Sequence, residues 1–147
     1  MLADGMFADS LIDAIGDDLE GTIGAVPWPE FDGADLFVEA AEAAGVDPDG
    51  SFRREGYDAA ALIALAMEAA GSHDPARFKD KVLEVANAPG EPIMAGQLAR
   101  AIEVLRSGGQ IDYVGATNVE LIGPGEASGT YREYVVQDGE YSTVTFR

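Results

Sequence analysis

The chain has 147 residues, 47% of them apolar, and 27 acidic against 9 basic side chains give it a formal net charge of −18. The length suits one domain and the apolar content a real core, while so few cations argue against nucleic-acid and anionic-membrane binding. With no cysteine and one histidine, disulfide frameworks, thiolate metal sites and His-rich metal sites are excluded, and no cofactor is expected.

From the N-terminus, Leu2 to Gly5 reads as the end of a strand or a loop, and Asp9 or Ser10 caps a short helix through Ile15. The opening residues have neither a basic n-region nor an apolar h-region, so no signal peptide is expected here. GTIGAV (21–26) is a short β-branched run that Pro27 and Pro29 turn into an extended connection. Residues 35–44 read as a helix, with Leu36, Phe37, Ala40 and Ala44 on its apolar side and Gly45 as its stop. Arg53 to Ala70 is a longer helix whose apolar residues occupy nearly every face, including Leu62, Ile63, Ala66 and Met67. Such a helix is expected to be buried nearly all round. Its apolar run from Ala59 to Met67 is far shorter than the roughly 20 residues that a membrane span needs, so a soluble chain without membrane insertion is expected.

Gly71 ends that helix, and a second follows at once. Asp74 caps it, Pro75 takes its first position, and Phe78, Val82, Leu83 and Val85 form a stripe ending at Asn87. A further helix is read over 94–106, with Leu98, Ile102 and Leu105 inward and Gly108-Gly109 as its end. The last quarter changes character. IDYVG (111–115) and NVELI (118–122) read as strands, and Tyr131–Val136 with Tyr141–Phe146 around Asp138-Gly139 is a hairpin signal that suits a type I′ turn. The expected class is α/β or α+β.

Few side chains stand out as chemistry. His73 falls in the link between two helices, where a surface histidine is the plainer reading. Asp47, Asp49 and Ser51 imitate the start of a calcium loop, but Phe52 stands at its sixth position and Asp58 at its twelfth, which rejects calcium. GPGEASG (123–129) has its third glycine one residue late and leads to a strand, so it is a turn and not a phosphate cradle. Asp17-Asp18 lies in a loop with no partner base. With no nucleophile signature, an enzyme is not expected. Asp4 is different, because an aspartate at the C-terminal end of a strand occupies the ligand edge of an open α/β sheet. A buried carboxylate there could hold an ammonium, although on spacing alone a loop or cap aspartate is the stronger reading.

Six stretches in order resemble one family. They are ADGMFADSLIDAIG (3–16), LEGTIGAVPW (19–28), GSFRREGYDAAALIALAMEAAGS (50–72), VANAPGEPI (85–93), AIEVLRSGGQIDYVGAT (101–117) and ASGTYREYVVQDGEY (127–141). Together they are similar to the C-terminal portion of ABC-transporter solute-binding proteins of the branched-chain amino acid or amide type, the type I periplasmic binding fold. The resemblance implies a partial lobe of that fold, with helices packed on a mixed sheet and a C-terminal β-hairpin, in a single domain over 1–147. It implies a small amino acid or amide ligand, an ABC permease as partner in the intact family, and a periplasmic or extracellular location. By resemblance Asp4 takes the ligand's ammonium, Phe52 brings an aromatic face from the other lobe, and Tyr57 matches a frequent aromatic. Family members are more than twice this length, and the missing part is N-terminal. A chain lacking the sheet that its apolar helix covers is expected to associate into a homo-oligomer. The alternative is a fragment without ligand affinity that acts only in association.

Overall fold

The computed structural model describes residues 1–29, 31, 33–48, 52–123 and 125–147, so Asp49 and Ser51 of the calcium-like loop and Pro124 of GPGEASG lie outside the described residues. In chain order the elements are α1 (Asp9–Ile15), β1 (Ile23–Pro27), α2 (Ala34–Ala43), α3 (Arg53–Ala70), α4 (Pro75–Phe78) and α5 (Lys81–Ala86). There follow β2 (Glu91–Met94), α6 (Leu98–Arg106), β3 (Ile111–Gly115), β4 (Leu121–Gly123), β5 (Glu126–Ala127), β6 (Tyr131–Gln137) and β7 (Glu140–Phe146). The class is α/β with a C-terminal hairpin. The chain packs as two compact units, Met1–Glu30 with Gly129–Arg147, and Phe31–Ser128.

The first unit joins the two ends of the chain. Its sheet is antiparallel in the order β1-β6-β7, with Ile23 opposite Val135 and Pro27 opposite Tyr131. Leu2 adds a single parallel bridge to Gly24, so the expected strand end is one residue deep before a 3-10 turn over Asp4–Met6. The Asp138-Gly139 turn has positive φ at both residues, 55° and 75°, which is the type I′ geometry that matches strand twist. Alternation along β6 buries Tyr134 and Val136 on one face, where they meet Leu2 and Leu19 and the flanking Phe7, Leu11, Ile12 and Tyr141. Gly24 lies opposite Tyr134, and any Cβ there would run into the tyrosine's hydroxyl end. Two local expectations fail here. Ala8, with no side-chain cap, precedes α1, while Asp9 and Ser10 are already helical. Asp17-Asp18 belongs to a 3-10 turn that buries Leu19, because an apolar residue at its end can reach the core of the sheet.

The second unit is built on the parallel pair β2–β3, with Glu91 opposite Ile111 and Ile93 opposite Tyr113. β2 corrects the expected helix over 94–106. Met94 is the last strand residue and the helix starts at Leu98, because Ile93 is fully buried between helices and β3 in a run too short to show alternation. The core gathers Leu62, Leu65 and Ala66 of α3, Val85 and Ala86 of α5, Ala101 and Val104 of α6, and Ile111 and Tyr113 of β3. Leu98, Ile102 and Leu105 flank that core and are only partly buried.

α3 is helical over the expected residues and ends at Gly71 in the left-handed region, but it is not buried all round. Its buried face is Asp58, Ala61, Leu62, Leu65 and Ala66, whereas Ala59, Ala60, Ile63 and Ala64 face outward, with Ile63 45% exposed. The expected helix over 74–87 is two short ones, interrupted at Lys79-Asp80, with Leu83 exposed. Its start is as read, since Asp74 Oδ1 accepts the Ala76 N–H at 2.9 Å. Asn118 is in a left-handed turn and the strand begins at Leu121. Asn87 acts there in place of a strand neighbour, donating to the Leu121 carbonyl at 2.7 Å and accepting its N–H at 3.0 Å. Among the described residues, no helix is long and apolar enough to cross a membrane.

Candidate functional site

The loops that leave the C-terminal ends of β2 and β3 are 95–97 and 116–118, and both are held by the first turns of α3. Tyr57 serves the first loop, its hydroxyl accepting the Gly96 N–H at 2.8 Å. Its ring meets Phe37 edge-on at 5.5 Å, within a cluster of Phe37, Ala41, Ala95 and Ala116. Arg54 stacks its guanidinium over Phe37 at 5.3 Å and donates to the Ala34 carbonyl at 2.9 Å, tying α2 to α3. Tyr57 is therefore committed to packing by both its ring and its hydroxyl.

Asp58 serves the second loop. It is a buried carboxylate, 3% exposed. Its Oδ1 accepts from the Tyr113 hydroxyl at 2.9 Å and the Ala116 N–H at 2.8 Å. Its Oδ2 accepts from the Thr117 N–H at 2.8 Å and the Thr117 hydroxyl at 2.7 Å. Burial pushes the Asp58 carboxyl up from its ordinary value, and these four hydrogen bonds pull it back down. Burial and the adjacent Asp58 also hold the Tyr113 hydroxyl well above the usual phenol range. Gly115, at φ +64°, is required beside them, because a Cβ there would run into Asp58 Oδ1. Every bond that Asp58 makes is internal, so it positions the loop and has no lone pair left in the plane for a ligand.

Asp58 is the residue that sequence reasoning missed, having met it only as a failed calcium ligand. The available signal was an acidic residue in step with Ala61, Leu62 and Leu65 on the inner face of an apolar helix. Buried acids of that kind are paired or hydrogen-bonded.

Phe52, immediately before α3, combines two unusual properties. Its backbone is left-handed, at φ 59° and ψ 15°, and its side chain is 47% exposed. A bulky residue in that region is strained, and strain of this sort concentrates at ligand contacts and switches. Phe52 and Tyr57 thus sit at the same end of one helix, one exposed and the other packed.

Asp4 belongs to the other unit. It stands just beyond the Leu2 bridge, at the start of the 3-10 turn. The expected buried carboxylate is instead exposed, with Oδ1 accepting the Gly5 N–H at 2.7 Å. Among the described residues, no cation lies within ion-pair distance of it. His73 is an exposed link between α3 and α4. Among the described residues, no three acidic or histidine side chains gather in a way that could hold a metal.

No protein-family model matches this sequence, and no curated protein sequence is similar to it. Among solved structures, the chain is similar to the leucine-binding protein LivK of Thermotoga maritima, with a TM-score of 0.62 and 22% sequence identity. The match covers 98% of this chain and 35% of the LivK chain. At this identity the likeness is one of fold: the chain has the architecture of part of that binding protein.

Proposed function

We propose that this chain is the substrate-binding component, or a part of it, of an ABC importer for branched-chain amino acids or related amino acids and amides. It acts without catalysis and works outside the cytoplasm. The observation that carries the reading is the fold likeness to a leucine-binding protein along nearly the whole chain, in company with the six sequence stretches that resemble that family. In this reading Asp4 takes the ligand's ammonium and Phe52 supplies an aromatic face, with Tyr57 supporting it through the Gly96 loop. Two features support those roles: an aspartate with no cation within ion-pair distance among the described residues, and a strained, exposed phenylalanine. The chain spans about a third of the neighbour's length, so the permease partner and the complete binding cycle belong to this proposal.

The test is calorimetric titration of the twenty amino acids and several aliphatic amides against the wild type and Asp4→Asn. Loss of a hydrogen-bonded charge partner should weaken binding by about tenfold or more. Binding that survives Asp4→Asn unchanged removes Asp4 from the site. A wild type that binds nothing at millimolar ligand refutes the binding reading for this chain.

A second reading rests on the outward face of α3, where Ala59, Ala60, Ile63 and Ala64 are exposed. In it the chain is an interaction module whose α3 packs against a second copy. Light scattering should then show a dimer or larger species that Ile63→Glu dissociates, and a monomer at micromolar concentration refutes it.

A further inference from the structure

Among the described residues, Arg132 is the cation that lies over two aromatic rings. It lies on the inner face of β6, two residues from the buried Tyr134, and its guanidinium lies over the rings of Phe7 and Trp28. The Phe7 centroid is 5.4 Å from it and the Trp28 centroid 4.9 Å. These contacts engage the cation's charge but use none of its five N–H donors. One is spent, from Nη2 to the Tyr141 carbonyl at 2.8 Å. Nε is buried with no hydrogen-bond partner, and Nη1 donates to nothing among the described residues.

Charge sharpens the contrast. The chain has 27 acidic and 9 basic side chains, and among the described residues five of the cations have a carboxylate partner, whereas Arg54, Arg77, Lys79 and Arg132 have none. Arg100 is bonded to Glu91 at 2.7 Å, Arg106 to Glu68 at 2.7 Å, and Arg147 pairs with Glu133 at 2.5 Å. Among the described residues no carboxylate lies within ion-pair distance of Arg132. Setting a guanidinium into a face that includes Leu2, Phe7 and Tyr134, and leaving its buried Nε unused, costs free energy that a buried aliphatic residue would not. A stacked guanidinium with N–H donors to spare suits planar, two-bond recognition of a carboxylate.

We propose that Arg132, stacked on Phe7 and Trp28, binds the carboxylate of a small organic acid. Nη1 and the second proton of Nη2 donate to its two oxygens. Trp28, 38% exposed, offers the ligand's short apolar body a surface. The inference does not depend on the role of Asp4, which concerns an ammonium. An amino acid carries both groups, and the probes below separate them.

Trp28 is the single tryptophan of the chain, so its emission reports this site directly. The probes are 4-methylpentanoate and its neutral counterpart 4-methylpentanamide, titrated against the whole chain with intrinsic fluorescence as readout. The acid should change the emission saturably and the amide should not. Arg132→Gln, checked for folding by circular dichroism, should weaken the response to the acid at least tenfold. Arg132→Lys should recover only part of it, since an ammonium can neither stack as a plane nor donate two parallel bonds. No saturable response to the acid overturns the proposal, as does an equal response to the amide. Competition by inorganic sulfate at the same concentration overturns the carboxylate assignment. These outcomes on the wild type decide the matter even if both variants misfold. An acid response with no effect of Asp4→Asn on amino-acid binding would remove the proposed role of Asp4 while leaving that of Arg132.

Discussion

Replacing Asp58 by alanine isolates what one buried carboxylate does for the loop after β3. The substitution removes four hydrogen bonds at once. It strands the Tyr113 hydroxyl and the Ala116 N–H in buried surroundings, and leaves the Thr117 N–H and hydroxyl half-buried. An unsatisfied buried donor costs about 1–3 kcal/mol. Counting only the two buried donors, and allowing for relaxation and for relief of Asp58's own desolvation, the loss is about 2–4 kcal/mol. At about 2–4 °C per kcal/mol for a chain of this size, the melting midpoint should fall by roughly 4–16 °C. Asp58→Asn is the graded control. Its oxygen can keep the Tyr113 and Ala116 bonds, but its amide nitrogen then faces the Thr117 N–H, so about 1–3 kcal/mol is lost. The assay is thermal and urea unfolding followed by circular dichroism, together with amide hydrogen exchange at Ala116 and Thr117. Exchange at those two amides should accelerate in both variants, more in alanine than in asparagine. An alanine variant within 1 kcal/mol of wild type, with both amides still protected, would refute the claim that Asp58 fixes this loop.

Burial raises the Asp58 carboxyl above its ordinary value of 3.8, so the folded chain binds that proton more tightly than the unfolded one. The group's contribution to stability should therefore be greatest below about pH 4 and should decline as pH rises through its folded pKa. The stability difference between wild type and Asp58→Asn, measured across that range, should move against the wild type as pH rises. Gly115→Ala should destabilise by more than 1 kcal/mol in urea unfolding, since it combines strain at positive φ with a collision at Asp58 Oδ1. Gly24→Val should do the same through the Tyr134 hydroxyl, seen as a change in Trp28 emission. With a net charge of −18, melting midpoints should rise with sodium chloride and then level off, and a midpoint indifferent to salt would mean that the charges are already dispersed or paired.

What could be read in the sequence was what local chemistry determines. Asp138-Gly139 between alternating Tyr and Val gave the hairpin, Gly71 ended α3, and Asp74-Pro75 opened α4. What could not be read depended on distant partners. β2 escaped because Glu91–Met94 is a strand by virtue of Ile111 and Tyr113, about twenty residues away. The outward alanines of α3 escaped because composition cannot say which face has a neighbour. Asp58 and Arg132 are both charges on inward faces, visible in principle from their step with Leu62 and Tyr134. Their meaning lies in what meets them: four donors for the first, two rings and no acid for the second. Asp4 was singled out by position and resemblance, but its exposure is a property of the turn around it.

The unit made from both chain ends has a kinetic consequence. β6 is the middle strand of its sheet and begins at residue 131, more than a hundred residues after the β1 residues that it pairs with. Residues 31–128 close on contacts within themselves, whereas the cluster of Leu2, Leu19, Phe7 and Leu11 lacks Tyr134 and Val136 until β6 has been made. Such non-local closure is slow, and the unpaired segment stays open to other chains meanwhile. Refolding should therefore be biphasic, with helical circular dichroism recovering first. Trp28 emission follows in a later step, whose rate sets how long the N-terminal thirty residues remain a hazard for aggregation.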